Sequence, residues 1–337
     1  MTATKDAGLS PALVETVAGL SAGSMATLIV HPLDIVKTRM QLHRTSLASS
    51  SSSPPTTVSL IRNLSRTDRP LAALYRGLTP NLLGNATSWA SFFFFKSRVE
   101  RAIAHLRAAS AQRNNLPTPH GEDLTAAQEA RLERKLLTPA DFFAASLAAG
   151  ALTQLITNPI WVLKTRMLAS DSSAAGAYPS MWAGAARLMR EEGLWGFYRG
   201  LGVGMLAVSH GAVQFAVYDP ARRMYLARKA RKEGDAVVVT NEATVVLSTV
   251  SKLVAGAATY PLQVLRSRLQ NYDAEQQFGK GVSGVVRKLW REEGIRGFYR
   301  GVMPGVVRVL PATWVTFLVY ENVKYYLPRW VQGGPWT

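Results

Sequence analysis

The chain has 337 residues, 47% of them hydrophobic and 18% charged, with 39 Lys and Arg against 22 Asp and Glu for a net charge of +17. A soluble domain carries about 25% charged residues, and a disordered chain would be poorer in apolar ones. The absence of cysteine excludes disulfides, thiolate metal sites and a cysteine nucleophile, while the positive charge calls for an anionic partner: nucleic acid, anionic lipid or an anionic small molecule.

Met1 to Ser10 holds one Lys, one Asp and no Arg, and no apolar core precedes Pro11. This is neither a secretory signal nor an Arg-rich transit peptide, so any address is expected inside the mature chain. Pro11 to His31 is a weakly polar run of membrane length. It ends in Pro32-Leu33-Asp34-Ile35-Val36-Lys37-Thr38-Arg39. Thr45 to Thr57 is rich in Ser and Pro and reads as a flexible loop. Tyr75-Arg76-Gly77 then opens a second apolar run, Leu78 to Phe95.

The polar stretch Ala108 to Thr138 predicts a short charged helix between Leu124 and Leu136. After it the pattern recurs. Ala140 to Asn158 leads into Pro159-Ile160-Trp161-Val162-Leu163-Lys164-Thr165-Arg166, and Tyr198-Arg199-Gly200 precedes Leu201 to Tyr218. Glu242 to Tyr260 leads into Pro261-Leu262-Gln263-Val264-Leu265-Arg266-Ser267-Arg268, and Tyr299-Arg300-Gly301 precedes Val302 to Tyr320. Short amphipathic helices, Ser180 to Glu192 and Gly284 to Glu293, are expected before the second and third triplets, with their Arg and Lys at a lipid surface. Gly19 with Gly23, and Ser146 with Gly150, have the spacing that lets helices approach closely in lipid.

Two signals in one order, three times, define repeats of about 100 residues, too long for a solenoid unit. The boundaries are 11–107, 139–230 and 241–327, with 108–138 as a polar inter-repeat loop. The predicted fold is an all-α membrane protein with six transmembrane helices, two per repeat; a symmetric bundle sets them as three pseudo-threefold repeats around a central cavity. A soluble helical repeat is the alternative, but it gives no purpose to a proline followed by charges at one helix depth, three times.

A proline inside a helix removes a backbone hydrogen bond and kinks it, so Pro32, Pro159 and Pro261 are expected to bring three helix ends together. Asp34 and Lys37 share a helix face, and Gln41 lies one turn further on. Charges facing lipid cost about 2.5–3.5 kcal/mol each; these are expected to meet across the threefold axis and close one end of the cavity.

Enzyme readings find no support. His31, His43, His105, His120 and His210 have no metal-ligand spacing, and no Ser/His/Asp arrangement stands out. Gly200-Leu201-Gly202-Val203-Gly204 lacks the strand and spacing of a dinucleotide fingerprint. The basic residues are scattered at repeat-equivalent places, which argues against nucleic acid. No cofactor and no metal are expected.

The Pro-x-x-x-x-Lys/Arg-x-Arg segments and Glu-Gly-x-x-x-x-Tyr-Arg-Gly segments, with Glu192-Gly193 and Glu293-Gly294, resemble the signature of the mitochondrial carrier family. Arg69-Pro70 departs from it in repeat one. The resemblance spans the chain beyond the first ten residues. It implies solute exchange across the mitochondrial inner membrane by a multi-pass protein, both termini on the side of the intermembrane space, and an anionic lipid, cardiolipin, at the helix starts. A monomer is expected. Within the family, the segments Asn158 to Arg166, Ser209 to Phe215, Arg308 to Ala312, Ser88-Trp89 with Phe92 to Phe95, and Val319 to Val323 are similar to the folate and FAD carriers. Trp161 in place of an acid also resembles carriers of pyrimidine nucleotides and NAD.

Residues that break the repeat symmetry are the candidates for an asymmetric substrate. Eight residues past each triplet arginine stand Gly84, Ala207 and Arg308, a level that the resemblance places on the cavity. Two small residues leave room, and one Arg supplies a fork for a phosphate or carboxylate; snorkelling or internal pairing of Arg308 is the alternative. Lys252 is a mid-span cation. Trp161 is a stacking ring for a flavin or pterin, or a core residue. His210 and Gln214 share a helix face for reading ring edges, or His210 is a satisfied buried contact.

The resemblance also implies two gates. On the matrix side Asp34 pairs with Lys164, Gln263 gives Lys37 a hydrogen bond, and Trp161 leaves Arg266 without a countercharge. Gln41 and Gln270 brace that ring. On the cytoplasmic side Tyr218-Asp219-Pro220-Ala221-Arg222 and Tyr320-Glu321-Asn322-Val323-Lys324 carry the second motif, with Asp219 paired to Lys324. Repeat one has Lys96 where the acid belongs. The expected function is alternating-access transport of a bulky anionic aromatic cofactor, FAD first and folate second. A pyrimidine nucleotide or NAD carrier, or a non-transporting scaffold of the same fold, is the alternative.

Overall fold

The computed structural model describes residues 11–43, 55–113, 137–171, 174, 176–233, 240–272 and 274–331. The expected helix at 124–136, most of the 45–57 loop and the first ten residues lie outside them. Every regular element among the described residues is helical: α1 (Pro11–Leu42), α2 (Thr57–Ser65), α3 (Pro70–Leu74), α4 (Leu78–Arg113), α5 (Pro139–Ala169), α6 (Met181–Phe197), α7 (Leu201–Ala207), α8 (His210–Glu233), α9 (Asn241–Gln270), α10 (Ala274–Phe278), α11 (Gly281–Gly297), α12 (Val302–Val307) and α13 (Val309–Val331).

Packing divides the chain into two units. The first holds residues 1–86, 160–199 and 264–337, the second 87–159 and 200–263. The divisions cut across the repeats, because residues 33–42 of α1, 160–169 of α5 and 264–270 of α9, beyond Pro32, Pro159 and Pro261, all belong to the first unit. Each proline lies inside its helix, so the helix continues beyond a residue that donates no backbone hydrogen bond.

Five segments are long and apolar enough to cross a membrane: Val14–Leu42, Pro139–Ala169, Leu201–Ala230, Glu242–Gln270 and Val302–Val331. The remaining expected span, Leu78 to Phe95, lies in α4. This helix is 36 residues long but carries Asn81 and Asn85 near its start. Both turn inward. The Asn81 amide donates to Asp34 Oδ2 at 3.2 Å, and the Asn85 amide donates to Thr27 Oγ1 at 3.1 Å. A polar group at membrane depth is tolerated where the protein itself satisfies it. Leu20, Met25 and Ile29 of α1, Trp89, Phe93 and Phe94 of α4, and Trp314, Phe317 and Leu318 of α13 are exposed, as faces toward lipid require.

In the first unit α1 packs along α13. The buried stripe of α1 is Val14, Ala18, Ala22, Ala26 and Val30, a four-residue spacing on one face. Gly19 and Gly23 were expected to serve as the close-approach pair. They are exposed instead, and a Cβ at either would meet nothing within 4 Å. The alanine stripe one residue earlier is the packing face. In the second unit Gly150 does mark a close approach, since its Cβ would lie 2.5 Å from Val208 Cγ1.

Two expected continuous spans are interrupted. Val208 and Ser209 separate α7 from α8, with i→i−3 bonds to Met205 and Leu206 tightening the turn. Arg308 separates α12 from α13. Pro311 lies three residues on and has no N–H for the carbonyl of Val307, which weakens the helix there.

The two expected amphipathic helices appear as α6 and α11. Ser180 caps α6 by accepting from the Ala183 N–H at 3.2 Å. Both helices bend at the Glu-Gly pair, where Gly193 and Gly294 have φ of 65° and 60°. Leu188 of α6 is fully buried with Val162, Leu163, Met167, Tyr178 and Met181, and truncating such a leucine costs about 2–5 kcal/mol. The triplet glycines Gly77, Gly200 and Gly301 adopt φ of 72°, 72° and 77°.

Gly77 tests this packing. A Cβ there would lie 2.4 Å from Leu168 Cδ1, whereas one at Gly193 would meet nothing within 4 Å. Both positions have positive φ, but Gly193 combines it with a ψ of −161°, a region open essentially to glycine alone, so the two backbone penalties differ. Overpacking, worth about 1–3 kcal/mol, is specific to Gly77→Ala. Thermal unfolding in detergent should therefore show a smaller loss for Gly77→Ala in a Leu168→Ala background than in the wild-type background. Equal losses would remove the close contact from the account.

Candidate functional site

The proline-motif residues of the first unit converge on Asp34, which is buried. Its Oδ2 lies 3.7 Å from Lys164 Nζ and accepts from Asn81, while its Oδ1 accepts from the Arg308 guanidinium. Lys37 lies within electrostatic reach of Asp34, Lys164 and Arg308. Asn81 uses its second amide hydrogen on His31 Nδ1 at 3.0 Å, and His31 Nε2 meets the Arg76 carbonyl at 2.9 Å. One ring nitrogen accepts and the other donates, which defines a neutral imidazole protonated at Nε2. His31 and Asn81 were not among the expected site residues. Adjacency of His31 to Pro32 was the available signal, but nothing in the sequence pairs it with an asparagine 50 positions later.

Arg308 pairs internally with Asp34, the alternative its sequence context left open, and its side chain remains 37% exposed. Trp161 is half-buried, with Lys164 Nζ 4.9 Å from its ring centroid. Gly84 does not leave free space. A Cβ there would lie 3.3 Å from Trp161 Cη2 and 3.3 Å from Ile160 Cγ2, so the indole fills the room that the missing side chain makes.

Gln41 and Gln270 each reach a neighbouring repeat. Gln41 Oε1 accepts from Ser267 Oγ at 2.8 Å, and Gln270 Oε1 accepts from Thr165 Oγ1 at 3.0 Å. Their backbone carbonyls accept from Arg268 and Arg166, each at 3.0 Å. Arg266 stands apart: its Nε and Nη2 are buried with no hydrogen-bond partner among the described residues.

A second layer of charge surrounds this cluster. Glu192 bridges Arg166, at 2.6 Å, and Arg199. Glu293 bridges Arg268 at 2.7 Å and Arg300 at 3.0 Å. Repeat one has Arg69 at the corresponding place, and its cations find other acceptors. Arg39 pairs with Asp171 at 2.6 Å, and Arg76 donates to the carbonyls of Met167 and Tyr178 at 2.8 and 3.0 Å. Burial pushes the Glu192 carboxyl up, but Arg166 and Arg199 outweigh it and hold it below the usual carboxylate range.

At the other end of the first unit Lys324 takes Glu15 of α1 as a partner at 2.7 Å, and Tyr320 donates its hydroxyl to the same carboxylate. Glu15 was not supplied by the motif comparison, because it lies outside both repeated signatures. Glu321 is exposed. In repeat one Lys96 lies 3.8 Å from Glu100, one turn along its own helix.

The second unit holds Ala207, His210, Gln214, Asp219, Arg222, Lys252 and Gln263. His210 Nδ1 meets Thr259 Oγ1 at 3.0 Å, and that hydroxyl donates to the Ala255 carbonyl. This is the satisfied contact that its sequence reading left open. Ala207, Gln214 and Gln263 are half-buried, while Lys252, Asp219 and Arg222 are exposed. The structure thus brings Asp34, Lys37, Lys164, Arg266, Gln41, Gln270, Trp161, Gly84 and Arg308 into one unit. Among the described residues no group of three metal-ligating side chains occurs.

A family model described as "Mitochondrial carrier protein" matches residues 9–106, 135–229 and 239–329. The chain is 34% identical to a mitochondrial FAD carrier protein of Saccharomyces cerevisiae over 324 residues, 94% of this chain and 98% of the relative. It is 32% identical to a chloroplastic folate transporter of Arabidopsis thaliana, over 91% of this chain and 92% of the relative. A chloroplastic nicotinamide adenine dinucleotide transporter of the same plant is 31% identical, over 94% and 92%.

Two measurements test the second layer. Glu293 is 2% exposed, as is the Arg268 side chain it holds. Removing one partner of a buried pair costs about 3–5 kcal/mol, so Glu293→Gln should sharply lower the unfolding temperature. Glu192 gives a pH signature. Its folded pKa is depressed, so its contribution is present above the ordinary carboxylate pKa and is lost as pH falls through the folded value. The acid limb of stability against pH should flatten in Glu192→Gln; an unchanged limb would show that the carboxylate is not held down.

Proposed function

The chain belongs to the mitochondrial carrier family, whose members are transporters rather than enzymes, and we propose that it carries a bulky, anionic, aromatic cofactor, FAD first and folate second. The observation that carries this reading is the cationic cluster beside Trp161, in a chain similar over nearly its whole length to an FAD carrier and a folate transporter. An anionic cargo brings negative charge to Arg308, which is 37% exposed beside Asp34, and a planar ring suits the half-buried Trp161. NAD is the second reading, favoured by the similarity to nicotinamide adenine dinucleotide transporters.

In this reading the cargo crosses the mitochondrial inner membrane by alternating access, with both termini in the intermembrane space and cardiolipin at the glycine-rich helix starts. Helix N-termini suit such anions. The carrier works as a monomer. Asp34 with Lys164, braced by Gln41 and Gln270, acts as an ionic link of the matrix gate, and the Lys324 region serves the cytoplasmic gate. In the second unit Lys252, Ala207, His210 and Gln214 are assigned to cargo contact. His210 enters with one ring nitrogen already engaged.

Reconstitution into liposomes tests the assignment. Uptake of FAD and folate should exceed that of NAD and of purine or pyrimidine nucleotides. Arg308→Ala should lose at least about tenfold in uptake while staying folded, because a charge-assisted bond is worth about 1.5–3 kcal/mol. Arg308→Lys should recover only part, since Lys keeps the charge without the planar fork. No uptake of any panel member by the wild-type protein would favour the non-transporting scaffold.

A further inference from the structure

We propose that the cavity at the ends of α1, α5 and α9 is a second ligand site, built for an uncharged heterocyclic ring such as the flavin or pterin end of the cargo, and separate from the Asp34 cluster. The inference rests on the transport reading above for the identity of that ring.

The cavity has a volume of about 560 Å³ and lies within the first unit. Small-molecule pockets run to about 300–1,000 Å³. All three repeats contribute walls. Leu42 and His43 come from the end of α1, Ala169 and Ser170 from the end of α5, and Asn271 and Tyr272 follow α9. Leu42 stands about 12 Å along the helix from Asp34, more than two turns away, with the Gln41 brace between them. A ligand here would sit beyond the gate residues rather than among them.

The charged groups of the lining are already matched. Arg39 pairs with Asp171 at 2.6 Å, Arg187 with Glu191 at 2.7 Å, and Glu192 with Arg166 and Arg199. His43 Nδ1 lies 3.0 Å from Arg300 Nη1. A guanidinium only donates, so this ring nitrogen accepts and the imidazole is neutral. Burial, and then Arg300, hold His43 below its ordinary range. A phosphate or carboxylate would meet no surplus cation in this cavity.

Two polar atoms of the lining are not matched. Asn271 Oδ1 and Ser170 Oγ are buried without a hydrogen-bond partner among the described residues. Asn271 is 7% exposed. Its amide donates to Gln277 Oε1 at 3.3 Å, which leaves the carbonyl oxygen as the idle end. That oxygen accepts only, whereas the serine hydroxyl both donates and accepts. Leu42, Leu60 and Ala169 supply apolar wall. A ring with an N–H beside a carbonyl answers both polar atoms with its edge and the apolar wall with its face. An alkyl chain would leave the two atoms unpaired.

Walls drawn from three repeats enclose one cavity only while those helix ends are together. A ring bound there favours that arrangement over one in which the ends have parted.

The test uses the full chain in detergent, with riboflavin, a flavin ring without phosphate, as probe. Fluorescence anisotropy and ligand-induced thermal stabilisation are the readouts. Wild type should bind saturably and be stabilised; a cavity that holds only water predicts neither. Asn271→Leu removes the idle acceptor, so riboflavin affinity should fall about tenfold while unliganded stability is unchanged or higher. A merely structural asparagine predicts lower stability. Ala169→Phe fills the cavity with every polar group left in place, and should abolish binding. The proposal is overturned if wild type fails to bind, if Asn271→Leu is destabilised, or if either variant keeps wild-type affinity. It is also overturned if ribitol alone competes as well as riboflavin, which would give the site to the polyol chain. FAD uptake into liposomes by wild type, measured in parallel, separates the two readings. Riboflavin binding with the predicted variant effects but no FAD uptake sinks the cargo identity and leaves the site. FAD uptake without riboflavin binding does the opposite.

Discussion

A buried carboxylate attracts cations strongly because little water is present to screen it, yet each added cation also repels the others. Asp34 carries this conflict for the first unit. It binds Lys164 from the second repeat and Arg308 from the third, and its orientation is set by Asn81 and His31. Such a pair adds little net stability after desolvation, but breaking one side of it is costly. The arrangement therefore specifies which helix ends meet more than it strengthens the fold. Beside it, Arg266 keeps its Nε and Nη2 buried without a hydrogen-bond partner among the described residues.

Around this cluster the repeats solve one problem in two ways. Glu192 and Glu293 each bridge two arginines, one from the proline motif and one from the Tyr-Arg-Gly triplet. Repeat one has no such acid. Its Arg39 turns to Asp171 beyond the next repeat's helix, and its Arg76 uses backbone carbonyls as acceptors. Carbonyl dipoles satisfy the Arg76 donors but not its charge, so the first repeat is tied to the second by the Arg39–Asp171 ion pair and the Arg76 hydrogen bonds, where each of the others holds an internal Arg-Glu-Arg bridge. The symmetry of the helices is thus kept while the symmetry of the charges is not.

The interruptions in the helices fall beside the same asymmetry. α12 ends at Val307, and Arg308 occupies the break. In the second unit α7 ends at Ala207, the equivalent level, and i→i−3 bonds carry the chain on. The first repeat has an unbroken α4 at Gly84, where the Trp161 indole lies against the missing side chain. Backbone irregularity at membrane depth is tolerated where protein covers it. Here it accompanies the residues that differ most between repeats.

Much of this architecture was legible in the chain itself. Helices of membrane length, the three proline motifs and the triplet glycines follow from local rules: apolar run length, a proline without an N–H, and a left-handed φ that favours glycine. These need only neighbours within a few residues. Asp34 with Lys164 was also accessible, because the repeats supply the register that places one motif beside the next. Other features depended on contacts between distant segments. Nothing local distinguishes Gly19 from Ala18 as the packing residue of α1, since only the direction of α13 decides which face is buried. Nothing local gives Arg308 to Asp34, Trp161 to Gly84 or Lys324 to Glu15, because a long side chain chooses among all partners within reach. Composition and periodicity determined that the chain is a helical membrane protein of three repeats with surplus cations; tertiary packing alone decided which of those cations are paired, because that choice depends on distances across helices and on where water is excluded.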